Sequence, residues 1–149
     1  MPALSLQSPF GPLTVTETDG AITGLGWQGG ADEETPLLVE ARDQLRAYFD
    51  HRLGSFDLPL AFQPGLTGAV QRAMLAIPLG ETRRYGDLAK ALGVPAQAIG
   101  QACGANPIPI LIPCHRILGA TGLGGFSAPG GVETKVALLR HEGAASLLL

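Results

Sequence analysis

The chain has 149 residues, 46% hydrophobic and 15% charged, with a formal net charge of −3. That apolar fraction excludes a disordered or collagen-like chain, and the length limits it to one good core or two small ones. No stretch approaches the ~20 apolar residues of a membrane span, and the N-terminus lacks the basic and apolar regions of a secretory signal, so a cytoplasmic protein with no membrane partner is expected.

Leu13 to Thr18, the pair Asp19-Gly20, and Ala21 to Trp27 read as two alternating strands around a type I′ turn. Residues 3–8 add a third strand through the turn at Pro9 to Pro12. Gln28 to Thr35 is a polar, acidic loop. Thr35-Pro36 then offers an N-cap followed by proline at the first helical position. Leu37, Leu38, Ala41, Leu45, Tyr48 and Phe49 fall on one helical face, with Glu40, Asp43 and Arg46 opposite. Phe56 to Leu60 reads as a short strand or extended segment, and Phe62-Gln-Pro-Gly65 as the connection between two domains, 1–62 and 63–149.

The second half opens with Leu66, Val70, Met74 and Ile77 at helical spacing, ended by Pro78 and Gly80. Glu81 to Pro95 reads as a first helix, a glycine turn at Gly93 and a proline start for a second helix, Ala96 to Ala105, the layout of a helix-turn-helix. That second helix is rich in Ala and Gly, so it suits close packing on a duplex or against a neighbouring helix better than major-groove reading. Charge is uneven along the chain. Residues 1–62 carry 3 basic and 9 acidic side chains, net −6, whereas residues 63–149 carry 7 and 4, net +3. A polyanion would therefore dock on the second half.

The chemistry concentrates in Asn106-Pro-Ile-Pro-Ile-Leu-Ile-Pro-Cys-His-Arg116. Prolines keep the run extended, and its apolar character ends at Cys114. A thiol of reference pKa about 8.5 needs a base or a positive charge beside it to react at neutral pH, and His115 and Arg116 are those residue types. Neighbours in an extended chain point to opposite sides, so a bridging water between Cys114 and His115 is expected. Glu142 is a carboxylate candidate to orient His115. On local chemistry alone, Cys114 as a packed small residue and Glu142 as a solvated charge stand equally open. Zinc held by Cys103, Cys114, His115 and His141 is conceivable, but the spacing lacks the short ligand pairs of common structural zinc sites. Cys103 reads as a packed residue.

Taken together, Ile77 to Ala89, Asn106 to Arg116, Gly124-Gly-Phe-Ser127 and Leu138 to Gly143 resemble the O6-alkylguanine-DNA alkyltransferase family. The N-terminal half resembles the same family in layout and around Tyr48-Phe49 and Phe56 to Pro59. The resemblance implies an α+β fold, with a small ribonuclease-H-like sheet-and-helix domain followed by a mostly helical winged helix-turn-helix domain. It implies DNA repair by a single-turnover transfer of an alkyl group from O6-alkylguanine to Cys114, with double-stranded DNA bound through the minor groove, the damaged guanine flipped out, and no metal or organic cofactor. His115 would deprotonate Cys114 through a water, Glu142 would hold His115, and Tyr85 would help rotate the nucleotide and protonate the departing guanine. Asn106 would brace the turn before the reactive loop, Ser127 would bond near the guanine O6, and Pro109, Ile117 and Phe126 would shape the pocket. Arg83, Arg84, Lys90 and Arg116 would meet DNA phosphates, making binding salt-dependent.

Three positions depart from that pattern. Gln97 stands where the family places an arginine that fills the gap left by the flipped base. Phe126 and Gln71 stand where tyrosine and tryptophan are common. A non-catalytic alkylated-DNA recognition protein is the alternative reading, which the presence of Cys114 disfavours. A helix-turn-helix regulator would need polar base-reading residues that Ala96 to Ala105 mostly lacks. A monomer is the expected state, with cooperative clustering on DNA left open.

Overall fold

In the computed structural model, which describes residues 1–119, 122–126 and 128–144, three antiparallel strands run in the order β1-β2-β3: β1 Ala3–Ser8, β2 Gly11–Thr18 and β3 Ala21–Gly26. Asp19 and Gly20 both take positive φ, 52° and 79°, as a two-residue type I′ hairpin requires. Cross-strand partners set the register: Leu4 faces Val15, Leu6 faces Leu13 and Val15 faces Leu25, and all five side chains are buried. A bulge between Thr16 and Glu17 shifts the β2-β3 pairing.

Helix α1, Pro36–Phe49, covers that surface with Leu38, Ala41, Leu45, Tyr48 and Phe49. Thr35 caps it, its hydroxyl accepting from the Leu38 amide at 3.1 Å. Phe56 packs on Tyr48 with ring centroids 5.4 Å apart, which anchors the segment after the helix. That segment makes no full strand. It forms a single parallel bridge, Ile22 to Leu60, because Pro59 has no amide to add to a ladder.

By contact the chain forms two units, residues 1–61 with 107–111, and residues 62–106 with 112–149. The apolar run Pro107 to Leu111 thus lies with the N-terminal sheet, where the Leu25 amide donates to the Pro107 carbonyl at 3.0 Å. Within the run Ile110 is buried with φ of 70°, and the Leu111 amide donates back to Pro109 at 2.8 Å. A β-branched residue in that region carries a backbone cost of about 1–3 kcal/mol, offset here by burial.

The second unit holds α2 Gly65–Leu75, β4 Arg83–Arg84, α3 Tyr85–Leu92, α4 Ala96–Gly104, β5 Ile117–Leu118 and α5 Val132–His141. Val70 and Met74 of α2 are buried as the spacing predicts, and the Gln63 amide donates to the buried Gln71 carbonyl oxygen at 2.8 Å, fixing the start of the unit. Asp87 accepts from the Arg84 amide at 2.9 Å and starts α3. Gly93, with φ of 67°, ends it in the left-handed conformation that favours glycine and turns the chain into α4. Ile99 and Ala102 bury one face of α4, while Gln97, Gln101 and Gly104 are exposed on the other. The short strands β4 and β5 pair in parallel, Arg83 with Ile117 and Arg84 with Leu118. No helix among the described residues is long and apolar enough to cross a membrane.

Candidate active site

Cys114, His115 and Arg116 form one turn of 3-10 helix after Pro113, not the extended chain expected from the prolines. The Arg116 amide donates to the Pro113 carbonyl at 3.0 Å, and the turn brings the thiol and the imidazole onto adjoining positions of one tight bend. Asn106, just past the C-terminus of α4, donates through Nδ2 to the Ile112 carbonyl at 3.0 Å and hydrogen-bonds the Cys114 side chain. It therefore closes the loop between helix and thiol.

His115 is fully buried, and its Nε2 lies 2.7 Å from Glu142 Oε2. Arg116 meets the same carboxylate bidentately, Nε to Oε1 at 2.8 Å and Nη2 to Oε2 at 3.0 Å, and Nη1 donates to the Ile77 carbonyl at 2.7 Å. Burial alone would raise the Glu142 pKa, but hydrogen bonds and charge from His115 and Arg116 outweigh it and lower the value to about 2. An ionised carboxylate only accepts, so His115 Nε2 carries the proton and donates it. Burial, the largest influence, lowers the His115 pKa in spite of Glu142, and the ring is neutral at pH 7. Its Nδ1 then holds a free lone pair, buried and without a hydrogen-bond partner. That is the state of a general base.

Arg116 differs from its expected role. It is 6% exposed and its guanidinium is committed inside the unit to Glu142 and Ile77, so it cannot lie along a DNA phosphate. Removing a charged arginine from a surface reading is the physical consequence of its bidentate partner, which only the fold brings near.

Burial raises the Cys114 pKa; hydrogen bonding from Asn106 and the Lys135 charge oppose it without reversing it. The resting group is a thiol, and its attack must coincide with proton loss. Cys103 is pushed up to about 12, chiefly by burial, and its Sγ rests 3.7 Å from Met74 Sδ. It is packed and chemically quiet. Burial and then the two thiols raise the Tyr85 pKa, keeping its hydroxyl protonated. Tyr85 stands at the start of α3 against Gly124: a Cβ added at Gly124 would lie 3.0 Å from the Tyr85 hydroxyl.

Sequence reasoning missed Lys135. It sits on α5, 1% exposed, with Nζ donating to the carbonyls of Ile117 at 2.6 Å, Gly125 at 3.2 Å and Leu123. Burial lowers its pKa, and the nearby Cys114 and Cys103 raise it back. A lysine in an amphipathic helix reads as solvated; the signal available was its place amid the buried Leu138 and Leu139 stripe.

The remaining expected residues are dispersed. Ile117 is fully buried in β5, Pro109 is half-buried in the segment that lies with the first unit, and Phe126 is half-buried. Ser127 lies outside the described residues. Arg84 is exposed and donates to the Gly119 carbonyl at 2.6 Å, while Arg83 pairs with Glu81 at 3.1 Å. Gln97 is exposed on α4, and Gln71, where the family commonly has tryptophan, is fully buried with its Nε2 unpartnered. Among the described residues, no group of three or more His, Cys, Asp or Glu could hold a metal ion.

Comparison with known proteins gives matches over both units. Residues 66–144 match the model of the 6-O-methylguanine DNA methyltransferase DNA-binding domain, and residues 4–62 that of its ribonuclease-like domain. The chain is 40% identical to the methylated-DNA--protein-cysteine methyltransferase of Mycobacterium tuberculosis over 93% of its own length and 90% of the relative's. It is 37% identical to the constitutive enzyme of that name from Bacillus subtilis, over 91% and 92%. The crystal structure of Mycobacterium tuberculosis OGT in complex with DNA superposes with a TM-score of 0.85 at 38% identity, covering 97% of this chain and 94% of that one.

Proposed function

The chain belongs to the 6-O-methylguanine DNA methyltransferase family, and we propose that it repairs O6-alkylguanine in duplex DNA by moving the alkyl group onto Cys114. The reading rests above all on the neutral His115, whose Nε2 proton is pinned by Glu142 at 2.7 Å while its Nδ1 stays open in the same turn as Cys114.

Duplex DNA docks through α3 and α4 in the minor groove, with the exposed Arg84 near the phosphates, and the damaged guanine rotates out of the stack towards Cys114. His115 Nδ1 takes the thiol proton, directly or through one water, as the sulfur attacks the alkyl carbon. The C–S bond forms while the carbon–O6 bond breaks, its electron pair stays on the guanine, and the Tyr85 hydroxyl supplies a proton to the departing base. Glu142 stabilises the imidazolium that results, as a buried carboxylate does for a histidine base. Asn106 and the Lys135 charge favour the thiolate as it develops. A thioether is a poor leaving group and Cys103 is held as a thiol by burial, so Cys114 is consumed and each molecule acts once.

Single-turnover rates on a duplex carrying one O6-methylguanine test this assignment. Cys114→Ser abolishes transfer, and His115→Asn slows it by about 10²–10⁴, the range for loss of a positioned general base. A His115→Asn rate equal to that of the parent would remove His115 from the mechanism.

A further inference from the structure

Two residues adjacent in the chain grip the same glycine-rich segment. Parallel pairing of β4 with β5 sets Arg84 opposite Leu118, and the Asp87 carboxylate fixes its backbone by accepting from the Arg84 amide at 2.9 Å. From there the guanidinium reaches one residue past β5, where Nη1 donates to the Gly119 carbonyl at 2.6 Å. Tyr85, the next residue, lies against Gly124: a Cβ added at Gly124 would stand 3.0 Å from the Tyr85 hydroxyl and 3.1 Å from its ring. The two glycines also meet each other. A Cβ at Gly119 would lie 3.5 Å from the Gly124 nitrogen, and one at Gly124 would lie 3.4 Å from the Gly119 nitrogen. Arg84, Gly119, Gly124 and Tyr85 thus form a closed ring of contacts inside the second unit. Lys135 holds the carbonyls of Ile117, Leu123 and Gly125, and Arg84 holds that of Gly119.

We infer that Arg84 is a positioning residue for alkyl transfer: through Gly119 and Gly124 it fixes the Tyr85 hydroxyl at the place from which the departing base receives its proton. The inference rests on the proposed repair chemistry, in which Tyr85 supplies that proton. Gly119, Gly122, Gly124 and Gly125 have no side chains to anchor them, and glycine loses the most backbone freedom on ordering. A hydrogen bond from a charged donor is the stronger kind, and this one falls where the segment leaves β5. Release of the Gly119 carbonyl removes the support behind Gly124, and the Tyr85 ring loses the backbone it rests on. A reacting group moved out of line slows the step even when the change lies away from the chemistry. A guanidinium carries five donors in a fixed fork, so the bond to Gly119 and a phosphate contact are compatible. A cation that served phosphates alone would alter how tightly the duplex is held and leave the rate in the bound complex unchanged.

Transfer from a duplex carrying one O6-methylguanine is followed in single turnover with the full chain in increasing excess, which separates the rate at saturation from the protein concentration at half-saturation. Arg84→Ala is expected to lower the saturated rate about threefold to tenfold, the loss of one net hydrogen bond. Arg84→Lys, which keeps a donor of comparable reach, should restore it to within about twofold. In a Tyr85→Phe background the hydroxyl to be positioned is gone, and Arg84→Ala should lower the saturated rate by less than about twofold further. A general loss of structure would instead cost the same factor in both backgrounds. The protein without DNA supplies a second reading. The chain has two tyrosines, so with 13C-labelled tyrosine the Tyr85 ring gives its own NMR signals beside those of Tyr48. Those of Tyr85 should shift in Arg84→Ala while those of Tyr48 stay in place. The inference is overturned if Arg84→Ala changes the half-saturation alone, if its full rate penalty persists without the Tyr85 hydroxyl, or if the Tyr85 signals do not move. Failure of the parent chain to transfer methyl would instead overturn the repair reading, and the Tyr85 signals would still report whether Arg84 holds the ring in place.

Discussion

Replacing Glu142 by glutamine changes one oxygen for a nitrogen and little else in volume, yet the structure makes it a severe change. The carboxylate accepts from His115 Nε2 and from Arg116 Nε and Nη2, and its side chain has no solvent exposure. An amide in its place turns one acceptor into a donor facing donors, and leaves the nearly buried Arg116 cation without its negative partner. Leaving a buried charge uncompensated costs about 3–5 kcal/mol. For a chain of this length each kcal/mol moves Tm by about 2–4 °C, so a fall on the order of 10 °C is expected. Urea and thermal unfolding at pH 7 measure it. Arg116→Met alone should also destabilise, and the double variant Arg116→Met with Glu142→Gln should be less damaged than the two single losses added together, because removing both charges leaves neither stranded. A Glu142→Gln protein within about 1 kcal/mol of the parent would refute the buried-network account.

Acid should unfold the chain through the same residues. An unfolded carboxyl takes up its proton near 4.5 whereas Glu142 in the fold holds out to about 2, so stability present above 4.5 is lost as pH falls through that window. The shift corresponds to about 3 kcal/mol; urea midpoints from pH 7 to 3 should fall, and fall less in Glu142→Gln. His115 adds in the same direction at higher pH, since its folded pKa is lowered and the unfolded ring protonates first as pH drops below about 6.5. Lys135→Met removes the cation near both thiols and the tie to the Ile117, Leu123 and Gly125 carbonyls. Iodoacetamide labelling of Cys114 should then move to higher pH, and amide exchange in 122–126 should quicken, while Lys135→Arg should preserve the labelling profile better. Gly124→Ala places a methyl 3.0 Å from the Tyr85 hydroxyl at a φ of 73°. It should cost about 1–2 kcal/mol of stability and slow alkyl transfer more than Tyr85→Phe slows binding.

Local signals in the sequence carried most of the elements. Asp19-Gly20 dictates its hairpin because both residues tolerate positive φ, and Thr35-Pro36 starts α1 because a hydroxyl acceptor precedes a residue with no amide to satisfy. Cys114, His115, Glu142 and Asn106 were legible as chemistry. Long-range partners were not. Arg116 reads as a surface cation until Glu142, far along the chain, meets it in the interior, and Lys135 reads as solvated until three carbonyls converge on it. The run Pro107 to Leu111 reads as the approach to the thiol, but its hydrogen bond to Leu25 places it with the N-terminal sheet, a pairing no local pattern specifies. The 3-10 turn at Cys114 was hidden for a different reason. Prolines at 109 and 113 argue for extension, and the turn begins only where the last of them ends.

The most direct measurement is the intact mass and peptide map of the chain after incubation with an excess of duplex carrying one O6-methylguanine, with Cys114→Ala in parallel. The account predicts a single methyl group on the Cys114 peptide, one per molecule at saturation, and none on the variant. Methylation at Cys103, more than one methyl per chain, or tight binding of the duplex with no mass gained would contradict it.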